Sequence, residues 1–280
     1  MNVNPWKYKE DNKIKAQKQV KYMDDHFSKE TAAAVANTTI YTGPMGEYDW
    51  TENDFNPVPY SQLLDMGTVD AIFHVREVLG EDNEEVRVAA LNFASYRNPG
   101  GKFIEGSNAQ EECLCHESNL YNILRNFTSY YKENNTKPNK NLYTDRALYT
   151  PDVIFNKGKH TVEADVITCA SPNWTAARKW NVSQTENTLV LAQRIQFIKE
   201  IAELETVDVL ILGAWGCGVF GQNPRTVAKL FNFIFRESTI KNIIYAVPGG
   251  LNSDNFKAFD NSFFFCYNIN RNIKVKGRRI

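Results

Sequence analysis

Three consecutive side chains, Gln110, Glu111 and Glu112, are the part of this 280-residue sequence best equipped for chemistry. Successive residues on a helix point about 100° apart, so adjacent carboxylates cannot share one task; one can bind while the other transfers a proton. Acids in the first turn of a helix are also ordinary partners of its dipole, and from position alone that is the better reading of Glu111 and Glu112. Just upstream, Gly100 and Gly101 permit positive φ and a close backbone approach, and successive N–H groups in such a turn can form an anion-binding nest. A second glycine run, GAWGCGVFG, ends before Asn223 and Pro224, which read as the cap and first residue of a helix. That arrangement aims N–H groups and the positive end of a helix dipole at an entering anion. Two such loops suit a pyrophosphate held between them, with a sugar reaching the carboxylates.

The elements that must position these groups follow from periodicity. Val86, Val88, Ala89, Ala90, Leu91 and Phe93 form a short apolar run ending at Asn92 to Ser95, which predicts a strand covered on both faces. Ligands sit at the carboxyl ends of such strands in open α/β sheets. After the Gln-Glu-Glu triplet, Cys113, Leu120, Leu124, Phe127 and Tyr131 predict the inward stripe of one helix. Further helices are expected from Lys13 to about Val35, from Thr68 to Leu79, and from Gln184 to Leu204, the last opened by a Ser183/Glu186 capping box. Its inward positions are Leu189, Ala192, Ile195, Ile198 and Ile201. Lys13, Lys15, Lys18 and Lys21 read as a solvated face or as a surface that steers an anionic polymer.

Strands are expected at Leu148–Phe155, near a sheet edge because Pro151 interrupts it, at residues 163–170, at Val207–Leu212, at Ile243–Val247 and at Phe263–Tyr267. Residues 40–65, with three prolines and two glycines, read as a long irregular segment able to fold over a site. Pro172 and Asn173, at a strand end, have the placing of a ligand-contacting loop, and Trp174 and Trp180 read as core in preference to a cover over the site. Alternating strands and helices give an α/β layered sheet in a single domain, residues 1–280, with an N-terminal helical extension.

Gly216, Gly218 and Gly221 match G-x-G-x-x-G literally, which raises a dinucleotide-dependent oxidoreductase. That reading needs an acid about twenty positions on, at the end of the next strand, whereas Glu237 precedes that strand. Neither loop is followed by Gly-Lys-Ser/Thr, so a P-loop nucleotidase is excluded. With 32 basic against 33 acidic residues, no global field favours sequence-specific nucleic acid. Five cysteines argue against a disulfide framework, and Cys113 and Cys115 are too poorly directed for a metal pair. The first residues lack an apolar signal core and no run of about eighteen apolar residues occurs, so a soluble, cytoplasmic protein without membrane contact is expected.

The GGK turn at 100–102, seven further residues and then QEE resembles the Gly-Gly-Gly and Gln-Glu-Glu signature of bacterial-type poly(ADP-ribose) glycohydrolases, a macrodomain family. Lys102 stands where the family has its third glycine; a lysine there could add charge attraction to a pyrophosphate. DVITCASPN at 165–173, LGAWGCGVFGQNP at 212–224 and SDNFKAF at 253–259 follow in the family's order. The resemblance implies a three-layer α/β/α macrodomain-like fold with a mixed central sheet, and hydrolysis of ribose–ribose O-glycosidic bonds in poly(ADP-ribose) or of ADP-ribosylated protein, with ADP-ribose as product. It implies that Glu112 is the catalytic acid, that Glu111 and Gln110 hold the ribose and the motif, and that Phe220 orients the distal ribose. Asn92, Gly100, Gly101, Lys102, Gly216, Cys217, Gly218 and Val219 complete the implied binding set, with no metal and no cofactor. An ADP-ribose-binding module without catalysis is the alternative, since a fold and its pocket can outlast an activity.

Overall fold

The computed structural model describes residues 5–43, 60–80, 83 and 85–263. Seven strands make one mixed sheet: β1 (Thr39–Thr42), β2 (Tyr60–Leu64), β3 (Val88–Phe93), β4 (Arg146–Lys157), β5 (His160–Cys169), β6 (Val209–Leu212) and β7 (Asn242–Ala246), in the order β1-β4-β5-β3-β6-β7-β2. Strands β5, β3, β6, β7 and β2 run parallel, while β4 is antiparallel to both its neighbours. Alternation along the strands splits the apolar residues between two cores. Leu91, Ile167, Leu210 and Tyr245 face a layer built from α8 (Gln184–Leu204), α9 (Pro224–Ile234) and α10 (Asp254–Phe263). Val88, Ala90, Val166 and Ile211 face the opposite layer, which includes α1 (Pro5–His26), α2 (Ser28–Asn37), α3 (Thr68–Leu79) and α4 (Gln110–His116). Three layers result, as the family resemblance implied. Each fully buried Leu or Ile contributes about 1.5–3 kcal/mol, so both faces of β3 hold it in place.

Several expectations are corrected. The single helix predicted after Gln110 is three: α4, α5 (Leu120–Leu124) and α6 (Thr128–Thr136). Ser118 breaks it. Its hydroxyl donates to Leu114 O (2.6 Å) and accepts from Leu120 N (3.1 Å), while Asn119 N donates to Ile154 O (3.1 Å), so the chain leaves the helical path to bridge to β4. Cys113 is half-buried, and the inward residues of α4 are Glu111, Glu112, Leu114 and Cys115. The helix expected from Lys13 is divided at Phe27 into α1 and α2.

Strand β4 is not at an edge, because β1 covers it; Pro151 is accommodated by a bulge between Thr150 and Val153, with Asp152 at φ 54°. Within the segment expected to be irregular, β1 and β2 are strands at the two sheet edges, and residues 44–59 lie outside the described part. Trp180 is 62% exposed and Leu189 is also exposed, so neither belongs to the core. Phe263 ends α10 rather than opening a strand, and residues 264–280 lie outside the described part. Among the described residues, no helix is long and apolar enough to cross a membrane.

A largely buried ion pair ties α8 to the loop before β4 and to the end of β5. Arg194 of α8, 1% exposed, donates Nε to Asp145, Nη1 to Ala170 O (2.8 Å) and Nη2 to Leu142 O (3.3 Å). Removing one partner of such a pair leaves the others desolvated and unpaired, which typically costs about 3–5 kcal/mol. Arg194→Ala is therefore expected to lower unfolding free energy by roughly 3 kcal/mol or more, read from denaturant midpoints. A change under about 1 kcal/mol would mean that water replaces the guanidinium freely.

Candidate active site

The site begins where β3 stops pairing with β6. Their register ends at Ala90–Ile211, and beyond it the Gln110 side chain takes over the strand's backbone groups. Phe93 N donates to Gln110 Oε1 (2.8 Å), and Gln110 Nε2 donates to Leu91 O (2.9 Å) and Thr68 Oγ1 (3.1 Å). Gln110, expected to hold ribose or the motif, thus fastens the start of α4 to β3 and α3. The next two residues turn inward at the carboxyl end of β3, and both are almost out of solvent, Glu111 at 3% and Glu112 at 7% exposure.

A buried carboxylate without donors is very costly, and the surroundings supply them. Glu111 accepts from Asn92 Nδ2 (3.2 Å) at Oε1 and from Ser95 N (2.7 Å) at Oε2, with the Gly100 N–H also directed at it. Glu112 accepts from Lys102 N (2.9 Å) at Oε1 and from Ala109 N (2.9 Å) at Oε2. The nest expected to cradle a ligand's phosphates is therefore turned on the protein's own carboxylates. Gly101, at φ 60°, lies against both: a Cβ there would come within 2.6 Å of Glu112 Oε1 and 2.9 Å of Glu111 Oε2. Only glycine tolerates that backbone and that proximity. The Lys102 ammonium is exposed, 3.9 Å from Glu105 Oε2, so the residue faces the carboxylates with its backbone and solvent with its charge.

The second loop is anchored at both ends. Trp215 is fully buried and donates Nε1–H to Cys169 O (3.1 Å). Gln222 pairs amide to amide with Asn187 (2.9 and 3.0 Å) and donates to Pro172 O (2.8 Å). Gly216 and Gly221, both left-handed, lie where a Cβ would meet Ser171 Oγ at 2.4 Å and Thr175 Oγ1 at 2.3 Å. Asn173 and Asn223 each cap their own helix, Asn173 accepting from Ala176 N (3.0 Å) in α7 (Trp174–Ala177), Asn223 from Arg225 N and Thr226 N. Two of the α9 N–H groups expected for a ligand are thus already taken. What the loop presents outward is its tip, Gly218 and Val219, the latter 81% exposed, flanked by half-buried Cys217 and Phe220.

Sequence reasoning missed what holds Phe220. Its ring meets Tyr143 edge-on at 6.1 Å, and Tyr143 stacks on Tyr96 at 4.2 Å with planes 10° apart. Tyr143 has φ 64°, a conformation no sequence signal announces for tyrosine. Ser95, whose N–H serves Glu111, was visible only as the end of a strand. Among the described residues, no group of three or more His, Cys, Asp or Glu could hold a metal.

Burial pushes the Glu111 carboxyl up to about 8; the neighbouring Glu112 charge adds to this, against donors from Ser95, Asn92 and Gly100. At neutral pH the Glu111 carboxyl therefore retains its proton. Two further buried atoms, Tyr131 Oη and Asn92 Oδ1, have no hydrogen-bond partner among the described residues, and burial, with Glu111 adding to it, pushes the tyrosine hydroxyl up. The arrangement is a buried pair of carboxyl groups, held in fixed geometry beside a glycine turn and an aromatic-backed loop.

A family model for the catalytic domain of microbial-type PARG matches residues 10–158, more than half of the chain. No curated protein matches the sequence. The chain is similar to the crystal structure of poly(ADP-ribose) glycohydrolase from Thermomonospora curvata, with TM-score 0.76 and 25% identity over 91% of this chain and 100% of that one. The same enzyme bound to the inhibitor ADP-HPD gives the same values. The Deinococcus radiodurans poly(ADP-ribose) glycohydrolase in complex with ADP-ribose matches with TM-score 0.69 and 26% identity over 84% of this chain and 98% of that one. The three-layer sheet is thus macrodomain-like, and this chain belongs to the microbial-type poly(ADP-ribose) glycohydrolase catalytic domain family.

Proposed function

We propose that this chain, as a poly(ADP-ribose) glycohydrolase, cleaves ribose–ribose O-glycosidic bonds with Glu112 as general acid and Glu111 as the carboxylate that holds the reacting ribose. The observation that carries this reading is the buried pair itself. Both oxygens of Glu112 are fixed by backbone N–H groups, while Glu111 is tied to β3 and its end through Asn92 and Ser95. Cleavage needs a proton on the leaving ribose oxygen while the anomeric carbon gains oxocarbenium character. Glu112 gives up that proton, and its carboxylate then accepts one from the water that attacks the anomeric carbon. Burial raises the neighbouring Glu111 carboxyl to about 8, so a proton is held next to Glu112 at neutral pH.

In this reading the tip at Gly218 and Val219 faces the diphosphate, the Gly100–Gly101 turn acts through the carboxylates it holds, and Phe220, backed by Tyr143, orients the distal ribose. ADP-ribose is the product and the ligand. The polymer or an ADP-ribosylated protein is the partner. No metal enters the proposed step. We further read residues 1–280 as one catalytic domain in which α1 and α2 form the N-terminal extension. We place it in the cytoplasm, since Cys113, Cys115, Cys169 and Cys217 are all free thiols.

Glu112→Gln removes the acid but keeps its shape. It is expected to bind ADP-ribose within a few-fold of the unmodified protein by calorimetry while polymer turnover falls by about 10²-fold or more. Glu111→Gln is expected to weaken ADP-ribose binding as well as rate. Near-normal turnover by Glu112→Gln would remove it from the acid role; an unmodified protein that binds ADP-ribose yet cleaves no polymer between pH 5 and 8 would be a binding module.

The raised Glu111 carboxyl sets a pH dependence. Between pH 4.5 and about 8 the folded state keeps a proton that the unfolded chain has released. This contribution to stability is therefore complete below pH 4.5 and is lost as pH rises towards 8. Glu111→Gln cannot ionise, so its melting temperature relative to the unmodified protein should rise from pH 5 to pH 8.5, by roughly 2–4 °C per kcal/mol recovered. A constant difference across that range would show that the carboxyl is not held protonated.

A further inference from the structure

Glu112 is gripped by the two ends of one loop. Lys102 N and Ala109 N, which reach Oε1 and Oε2 at 2.9 Å each, are the first and last donors of the segment 102–109. The loop is closed by its own backbone: Glu105 N and Ser107 N both donate to Lys102 O (3.0 and 3.1 Å), and Gly106 N donates to Phe103 O (3.0 Å). Phe103 is buried and anchors one side against His116 and Tyr121. The other side has no core of its own and is held by α1. Buried Asn12 donates Nδ2 to Gly106 O (3.3 Å), and Asn108 donates Nδ2 to Tyr8 Oη (3.0 Å). Gly106, at φ 82°, lies so close that a Cβ would come within 2.2 Å of Lys9 O.

We propose that the first turns of α1, through Asn12 on Gly106, position the Glu112 carboxylate by clamping the middle of the loop whose ends hold it. Asn12 is thereby a positioning residue for the glycohydrolase reaction, an assignment that rests on Glu112 being the acid. The N-terminal helix is then a working part of the active site. A shift of Gly106 is passed to Ala109 within three residues, and a misplacement of about 1 Å in a reacting group can cost on the order of 10²-fold in rate. The hydrogen bond itself is worth only about 1 kcal/mol of stability, so rate and stability should respond to its loss very differently.

The rest of α1 makes this separable from undocking of the helix. Gln19 donates to Ser118 O (3.3 Å) and Asn156 Oδ1 (2.9 Å), and Asp24 accepts from Asn122 (2.9 Å) and Arg125 (2.7 Å). These contacts keep α1 in place when Asn12 is changed.

The test uses the full chain and compares Asn12→Ala, Asn12→Gln and Gln19→Ala for kcat and KM on poly(ADP-ribose), ADP-ribose affinity by calorimetry, and melting temperature. Asn12→Ala is expected to lower kcat by about 10-fold or more with KM and ADP-ribose affinity within about 2-fold. Asn12→Gln, which retains the amide donor, should recover part of kcat. Gln19→Ala, which loosens α1 far from the loop, should keep kcat. An unchanged kcat in Asn12→Ala, or equal losses in Asn12→Ala and Gln19→Ala, would overturn the proposal and leave α1 a purely structural helix. Failure of the acid assignment itself is read separately, from turnover by Glu112→Gln.

Discussion

Two carboxyl groups buried side by side cannot be left without hydrogen-bond donors, and much of the structure around β3 exists to provide them. Asn92 and Ser95 at the strand end serve Glu111; Lys102 and Ala109, at the two ends of one loop, serve Glu112. Burial still prevails at Glu111, whose carboxyl is raised despite these donors, with the charge on Glu112 pushing the same way. Glu111 thus holds a proton at neutral pH, and carboxyl groups perturbed in this way by burial cluster at functional sites.

This demand explains the glycines better than ligand binding alone does. Gly101 cannot carry a side chain because its Cβ would lie between the two carboxylates, and the N–H groups of its turn are directed at them. A loop built to bind phosphate and a loop built to hold carboxylates have the same chemistry, since both are anions that need backbone N–H groups. In the second loop the same economy applies: Asn223 takes the first N–H groups of α9, and Gln222 and Trp215 fix the ends, leaving a short exposed tip.

The parallel centre of the sheet brings these parts together. Strands β5, β3 and β6 are neighbours, so the loops that follow them converge on one edge although they lie far apart in sequence. Arg194 secures the carbonyls of Leu142 and Ala170 from behind, which steadies both the loop carrying Tyr143 and the turn against Gly216. On the other side of the sheet α1 braces the loop that grips Glu112. Rigidity at the carboxylates therefore has sources in both helical layers.

What the sequence by itself determined was the local chemistry. The apolar run of β3, the cap and length of α8, the Asn-Pro start of α9 and the order of the glycine and glutamate motifs were all legible, because each rests on short-range periodicity or on a capping rule. The family followed from that order. Tertiary structure alone decided which donors meet which acceptors: that the first glycine turn faces Glu111 and Glu112, that Gln110 binds strand backbone, and that Ser118 and β4 break a predicted helix into three. It also decided that β1 and β2 are strands, since TIYT and YSQLL acquire order only from β4 and β7 beside them. The physical reason is the same throughout. Propensity and periodicity are set by neighbours in the chain, whereas a buried polar group takes its partner from whatever the packed fold brings within about 3 Å.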